Sequence, residues 1–328
     1  MFGYTVTLRP LGLLYGSAGA FLSPENLVGR SGAKFPPEAA TLSGIYFNQA
    51  RRQPDFYQEL KNHLQLAGPF WAEVEEPDNF YVPIPRNRVL GKEATDQWSL
   101  RQMRWSRDNP ALQPDYRWQR LAHWQSKLAV IRERAAGNPW KFVPVLHPHL
   151  KDDERHVLAE DGLFLEQAVQ MQEGTALVYL ASHALKPGWY RFGGESHLVE
   201  VDCRPVSGRL AELLQRKIGR AFALLTPGVW GSNRLSYRYP RHADFPEPTH
   251  LLTDKPVPYR YRLGEKLSRG RYAVPAGSVY VLPRALGLTW SEWPEEWFPK
   301  EGYSLKRWGC GLALPIDIDG LETERGAA

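Results

Sequence analysis

The chain has 328 residues, 43% hydrophobic and 23% charged, the mix of a soluble globular protein with one large domain or two ordinary ones. No apolar run is long enough to cross a bilayer, because Pro, Gly or a charged residue interrupts every candidate. The start, Met1 to Pro10, reads as a first strand and not as a secretory leader.

The two cysteines, Cys203 and Cys310, exclude a disulfide framework and a four-thiolate metal site. Small buried hydrophobes in a reducing, cytoplasmic setting are the expectation. The net charge of +5 is modest but unevenly spread: 14 Lys or Arg accompany 5 Asp or Glu between Arg204 and Arg271, whereas Lys151 to Glu173 holds 2 basic and 7 acidic residues. The basic stretch suits a phosphate-bearing partner, and it equally suits an ordinary solvated face.

In chain order, Tyr4 to Leu8 alternates as a strand does, and Gly16 to Gly32 is a long small-residue loop of the kind that binds or is covered by something. Pro36-Pro37 followed by Glu38 predicts a helix from about Pro37 to Arg52, with Leu42, Ile45, Tyr46 and Gln49 on one face. Phe70 to Glu75 and Phe80 to Pro83 flank Pro77-Asp78-Asn79 as a hairpin. Strand, helix, strand, strand is the beginning of a ferredoxin-like unit.

From Thr95 to Trp140 the texture changes. Trp98, Trp105, Trp118, Trp124 and Trp140 interleave with Arg101, Arg104, Arg107, Arg117 and Arg120. Such a mixture can stack bases and hold phosphates; the favoured reading is an insertion whose tryptophans pack on its host beneath the arginines, with a helix over Trp118 to Arg134. Beyond the acidic stretch, Thr175 to Ala181 and Leu198 to Val206 read as strands, Leu210 to Ile218 as an amphipathic helix and Ala221 to Thr226 as a strand. Tyr237 to Arg262 looks irregular. Leu267 to Leu282 joins the cations Lys266, Arg269 and Arg271 and the glycines Gly270 and Gly277 to a β-favouring run from Val279. The tail after Asp319 has no core-forming pattern.

Reactive constellations are scarce. Gly91-Lys92 is followed by Glu93, so no phosphate loop forms, and Gly194-Glu195-Ser196-His197-Leu198 lacks the closing glycine of a nucleophile elbow. His147-Pro148-His149 falls short of a zinc site and reads as a surface loop, although either imidazole is open to a general-base role in RNA cleavage. Glu195 beside two glycines reads best as a turn carboxylate. Neither a catalytic centre, a metal site nor a cofactor is expected.

Five motifs nevertheless stand in a familiar order. Phe35-Pro36-Pro37-Glu38-Ala39-Ala40-Thr41-Leu42-Ser43-Gly44 is followed by Gly193-Gly194-Glu195, Leu225-Thr226-Pro227, Ala273-Val274-Pro275-Ala276-Gly277-Ser278-Val279-Tyr280 and Gly309-Cys310-Gly311-Leu312. Together, over about Tyr4 to Ile316, they resemble the third subunit of the type III-B CRISPR effector, the Cmr complex, in the RAMP superfamily. The related tag-binding subunit of type III-D systems shares the pattern.

The resemblance implies an α+β chain of two ferredoxin-like (RRM-like, RAMP) domains with long loops. They would cover residues 1–150, with the Trp/Arg-rich insertion at about 95–140, and 151–328. It implies a non-catalytic subunit that grips the repeat-derived 5′ tag of the CRISPR RNA and docks on the large polymerase-palm subunit and the first backbone RAMP subunit. On that basis Lys266, Arg269 and Arg271 are expected at tag phosphates, with Gly277 and Ser278 beside them. Arg30, Lys34 and Arg307 rank second, and Tyr272 or Trp308 could stack a base. The rival of another class is a RAMP-type endoribonuclease using His147 or His149 as base.

Overall fold

The computed structural model describes residues 1–15, 35–148, 150–151, 156–157, 162–193, 196–232, 234–263 and 266–321, with backbone alone for 164, 262–263 and 266–267. Strand β1 (Tyr4–Pro10) is followed by the short β2 (Leu14–Tyr15), then by helices α1 (Ala39–Ala50) and α2 (Pro54–His63). Next come β3 (Leu66–Glu73), β4 (Tyr81–Pro83), β5 (Trp118–Arg120), α3 (Leu128–Glu133) and the hairpin of β6 (Trp140–Pro148) with β7 (Leu163–Met171). Strands β8 (Thr175–Ala181), β9 (Gly188–Phe192) and β10 (His197–Pro205) precede α4 (Gly208–Leu214). The remainder carries β11 (Ala221–Leu224), β12 (His250–Leu252), β13 (Val257–Tyr259), β14 (Arg271–Ala273), β15 (Val279–Val281) and β16 (Ala313–Pro315).

The result is a mixed α/β fold with mostly antiparallel sheets and few helices. The largest sheet runs β9-β10-β1-β8-β3-β4-β5. A three-stranded sheet, β6-β7-β2, and a four-stranded one, β12-β15-β11-β16, complete the main layers. In β1 the alternation sends Val6 and Leu8, both fully buried, to one face and Thr7 and Arg9 to the other. Helix α1 follows Pro36-Pro37 and lies across β3 and β9, burying Leu42, Ile45 and Tyr46. The Tyr46 hydroxyl donates to the His183 carbonyl at 2.8 Å and Tyr179 to that of Pro37 at 2.7 Å, so the helix is tied to the sheet side from within and just before its start.

Several expectations change. The boundary expected at residue 150 runs through continuous structure: the sheet takes β1, β3, β4 and β5 from before it and β8, β9 and β10 from after it, and the β6–β7 hairpin straddles it. The helix expected over Trp118 to Arg134 begins as strand β5, whose residues pair with β4, and only a 3-10 turn at Leu121–His123 and α3 are helical. His147 lies within β6, paired with Phe164, instead of in a loop; His149, Glu195, Arg30 and Lys34 lie outside the described residues. The helix at Leu210 is also shorter than expected, ending at Leu214, and the stretch from Tyr237 to Arg262 contains β12 and β13.

The insertion packs much as its composition suggests. Trp124 is 1% exposed and donates Nε1 to the Pro315 carbonyl at 2.9 Å, while Arg88 lies over its ring and Arg107 over that of Trp98. No described helix is long and apolar enough to cross a membrane.

Candidate nucleic-acid interface

Three of the sequence motifs converge on β11. The Leu224 carbonyl accepts the Gly277 amide at 2.7 Å and the Leu224 amide donates to the Ser278 carbonyl at 2.9 Å. The Thr226 hydroxyl donates to the Gly309 carbonyl at 2.5 Å and accepts the Leu312 amide at 2.9 Å. Gly309 and Gly311 sit at φ +68° and +66° against Ala67 of β3 and the Trp230 ring, where a Cβ would approach to 2.4 and 2.2 Å. These turns shape the junction between the sheets.

The candidate residues inside the motifs share that role. Gly277 has φ +83°, and a Cβ there would stand 2.7 Å from the Ile84 carbonyl oxygen. Its own carbonyl accepts the Arg86 amide at 2.8 Å. Ser278 is fully buried, its hydroxyl 2.7 Å from both the Pro275 carbonyl and the Thr253 hydroxyl. Arg307, 8% exposed, donates to the carbonyls of Leu64, Lys61 and Leu60 at 3.0, 2.7 and 3.0 Å, satisfying the C-terminal end of α2. Trp308 is 4% exposed.

The basic stretch itself divides by strand parity. Strand β14 pairs with β13, matching Tyr259 to Arg271, Pro258 to Tyr272 and Val257 to Ala273. Arg271 and Ala273 therefore point inward with Tyr259, and Tyr272 points out. Arg271 is 5% exposed with Nη1 2.6 Å from Glu301 Oε2, and Glu301 Oε1 accepts the Arg269 amide at 2.8 Å. Burial, then the Glu301 charge, push the neighbouring Tyr261 phenol up to about 12. The Arg269 side chain is exposed, and Tyr272 is half exposed. Lys266 lies in a two-residue strand paired with Leu263, its side chain outside the described set.

Tyr272 has company that sequence reasoning missed. Its amide donates to the Ser236 hydroxyl at 3.1 Å, and the next residue, Tyr237, carries the exposed Arg241 guanidinium 4.5 Å from its ring centre. The half-buried Tyr237 and its Arg241 thus adjoin the strand that carries Tyr272, and Arg269, Arg234 and Arg238 are exposed in the same segments. The signal was the Tyr-Arg alternation in Tyr237-Arg238-Tyr239-Pro240-Arg241. Chemically, such a surface offers rings to stack on and forks to hold phosphates.

His147 belongs to a separate cluster. Its Nε2 lies 2.9 Å from the Tyr15 hydroxyl and 3.3 Å from Oε2 of the buried Glu166, and the His197 ring stands 5.0 Å from that of Tyr15. Among the described residues no group of three His, Cys, Asp or Glu is placed to hold a metal ion.

No protein-family model matches the sequence, and no curated protein matches it either. Among solved structures, the chain is similar to one in a cryo-EM structure of the type III-B Cmr-beta complex bound to cognate target RNA, at 12% identity and a TM-score of 0.46, covering 84% of this chain and 86% of that one. It is also similar to a chain of the Csm3-Csm4 subcomplex of the type III-A CRISPR-Cas interference complex, at 11% identity and TM-score 0.47, over 96% of this chain and 99% of the other. A chain of a Csm1-Csm4 cassette matches at 14% identity and TM-score 0.38, over 87% and 88% of the two chains.

Proposed function

We propose that this chain is a non-catalytic RNA-binding subunit of a prokaryotic, cytoplasmic type III CRISPR effector complex, gripping the 5′ repeat-derived tag of the CRISPR RNA. The five ordered motifs support the family reading; the type III-B subunit is the assignment proposed within it, with the type III-D equivalent as its alternative. The plan of two ferredoxin-like units belongs to the same proposal, supported for the first unit by the succession of β1, the helices α1 and α2, and β3. The observation that carries RNA binding is the exposure of Tyr272, whose amide meets Ser236 next to the Tyr237–Arg241 pair, with Arg269 exposed three residues before it. In this reading Tyr272 stacks a tag base while Arg269 and Arg241 follow phosphates. The polymerase-palm subunit and the first backbone subunit are the protein partners.

The test is the assembled complex carrying Arg269→Glu, Arg241→Glu and Tyr272→Ala. Tagged RNA should bind more weakly, and the slope of log K against log salt should flatten by about 0.7 for each lost phosphate contact. Unchanged affinity and slope in a folded variant would remove the surface from the proposal.

The His147 cluster favours one second reading, a metal-independent endoribonuclease in which His147, beside Glu166 and Tyr15, acts as general base. Site-specific cleavage of repeat RNA in chelator, lost in His147→Ala, would select this reading. Intact RNA would reject it.

A further inference from the structure

Trp189 on the edge strand β9 is 70% exposed, whereas the other eleven of the twelve tryptophans are buried or half-buried. An indole left in water gains nothing from its apolar area, and any polar residue would serve an edge strand as well. Trp189, Pro187 and Gly188 line one side of a groove of about 350 Å³, and Val74 and Pro77 line it beyond β8. Thr7, Arg9, Glu200, Asp202 and Arg204 form its floor.

Strand register explains the gathering. Trp189 pairs with Glu200 and Glu200 with Arg9, making one cross-strand row; Asp202 with Thr7 and Arg204 with Thr5 make the next two. Paired residues share a face, so the ring and the polar groups project together. Arg9 Nη2 lies 2.5 Å from Glu200 Oε2, and Arg204 Nε lies 2.8 Å from Asp202 Oδ2, all four side chains being 41–50% exposed. The floor is thus electrically neutral while alternating fixed donors and acceptors.

A neutral floor disfavours a bare phosphate and suits a planar ligand with donors and acceptors on adjoining edges, able to stack on an indole. We infer that the groove binds an unpaired guanine nucleotide. The guanine N1–H and N2–H groups donate to the Asp202 or Glu200 carboxylate, and O6 and N7 accept from the arginine beside it. Trp189 supplies the stacking surface. Asp202 and Glu200 select guanine over adenine, because adenine offers no N1–H to a carboxylate.

Calorimetric titration tests this with GMP, AMP and two unstructured oligoribonucleotides that differ by one G-to-A change. The chain carries Arg269→Glu and Tyr272→Ala in every arm, so failure of the tag surface cannot be confused with failure here. Saturable binding of the G-bearing ligands is expected, about tenfold weaker in Trp189→Ala and largely kept in Trp189→Phe. Asp202→Asn should lower the preference for G over A without abolishing binding. GMP binding without oligonucleotide binding identifies a free nucleotide as the source; the converse identifies RNA. Equal affinity for G and A, an unaffected Trp189→Ala, or no binding by any probe overturns the inference.

Discussion

Glu301 holds Arg271 through a 2.6 Å ion pair, and its other carboxylate oxygen accepts the Arg269 amide at 2.8 Å. One acidic residue thereby sorts two neighbouring arginines into different fates. The Arg271 guanidinium is spent on the interior, while the Arg269 backbone is fixed and its side chain stays in solvent. Replacing Glu301 by Gln leaves the Arg271 cation with a weaker acceptor in a poorly solvated place. We expect a loss of about 2–3 kcal/mol, read as a lower urea midpoint at unchanged slope. RNA affinity of the folded fraction should change little, because the Arg269 side chain keeps its exposure.

Gly277 separates strain from steric exclusion. Its φ of +83° costs any L residue about 1–2 kcal/mol, and a Cβ would meet the Ile84 carbonyl oxygen at 2.7 Å. Gly174 has a similar φ of +75° with nothing within 4 Å. Ala at Gly174 should therefore show the conformational cost alone, and Ala at Gly277 should unfold at clearly lower denaturant. Equal costs would mean that the contact with Ile84 yields without effect.

How much of this was legible in the sequence follows from the range of the forces involved. The strand at Tyr4, the helix after Pro37 and the strand at Thr175 are set by local periodicity and proline chemistry, and they stand where expected. The helix over Trp118 failed because pairing with β4 is a long-range contact that overrides helical spacing. Among the cations, charge and position in the chain rank Arg307 second to Arg269 but do not reveal that Arg307 is buried. That distinction depends on the carbonyls at the C-terminal end of α2, more than 240 residues away, to which Arg307 donates. Tyr237 and Arg241 have no signal in periodicity, because the hydrogen bond that brings Ser236 to Tyr272 is a contact between distant segments.

Arg307 itself makes a sharp case. Its three bonds to Leu60, Lys61 and Leu64 tie the last turn of one helix to the glycine turn at Gly309. Arg307→Ala takes this donor from the Lys61 and Leu64 carbonyls in a buried seam, Leu60 keeping the Leu64 amide, and should cost about 2–3 kcal/mol. Lys keeps a charge near the helix C-terminus but cannot span the three acceptors, so Arg307→Lys should fall between wild type and Ala. Hydrogen exchange should localise the loss to the amides of residues 60–64; uniform loss of protection would point to a global effect.

The buried phenols set the alkaline limit of the fold. Desolvation raises the pKa values of Tyr46, Tyr179, Tyr259 and Tyr280 above the ordinary 10.0, and moves Tyr261 up to about 12. In the unfolded chain these groups ionise near pH 10, so above that pH the native state binds more protons. The stability they lend is complete below pH 10 and is lost as the pH climbs toward the folded values. Lys306 works with the opposite sign: burial lowers its pKa below 10.5 even though the Ser291 and Trp293 carbonyls accept from its ammonium, so its penalty for staying charged fades as pH rises toward that value. Urea midpoints should hold or rise slightly up to about pH 10 and then fall, each buried tyrosine contributing about 1.4 kcal/mol per pH unit. Tyr46→Phe should make the fall shallower by one such contribution, at the expense of the bond to the His183 carbonyl. A midpoint that stays flat well above pH 10 would show that these phenols reach water without unfolding.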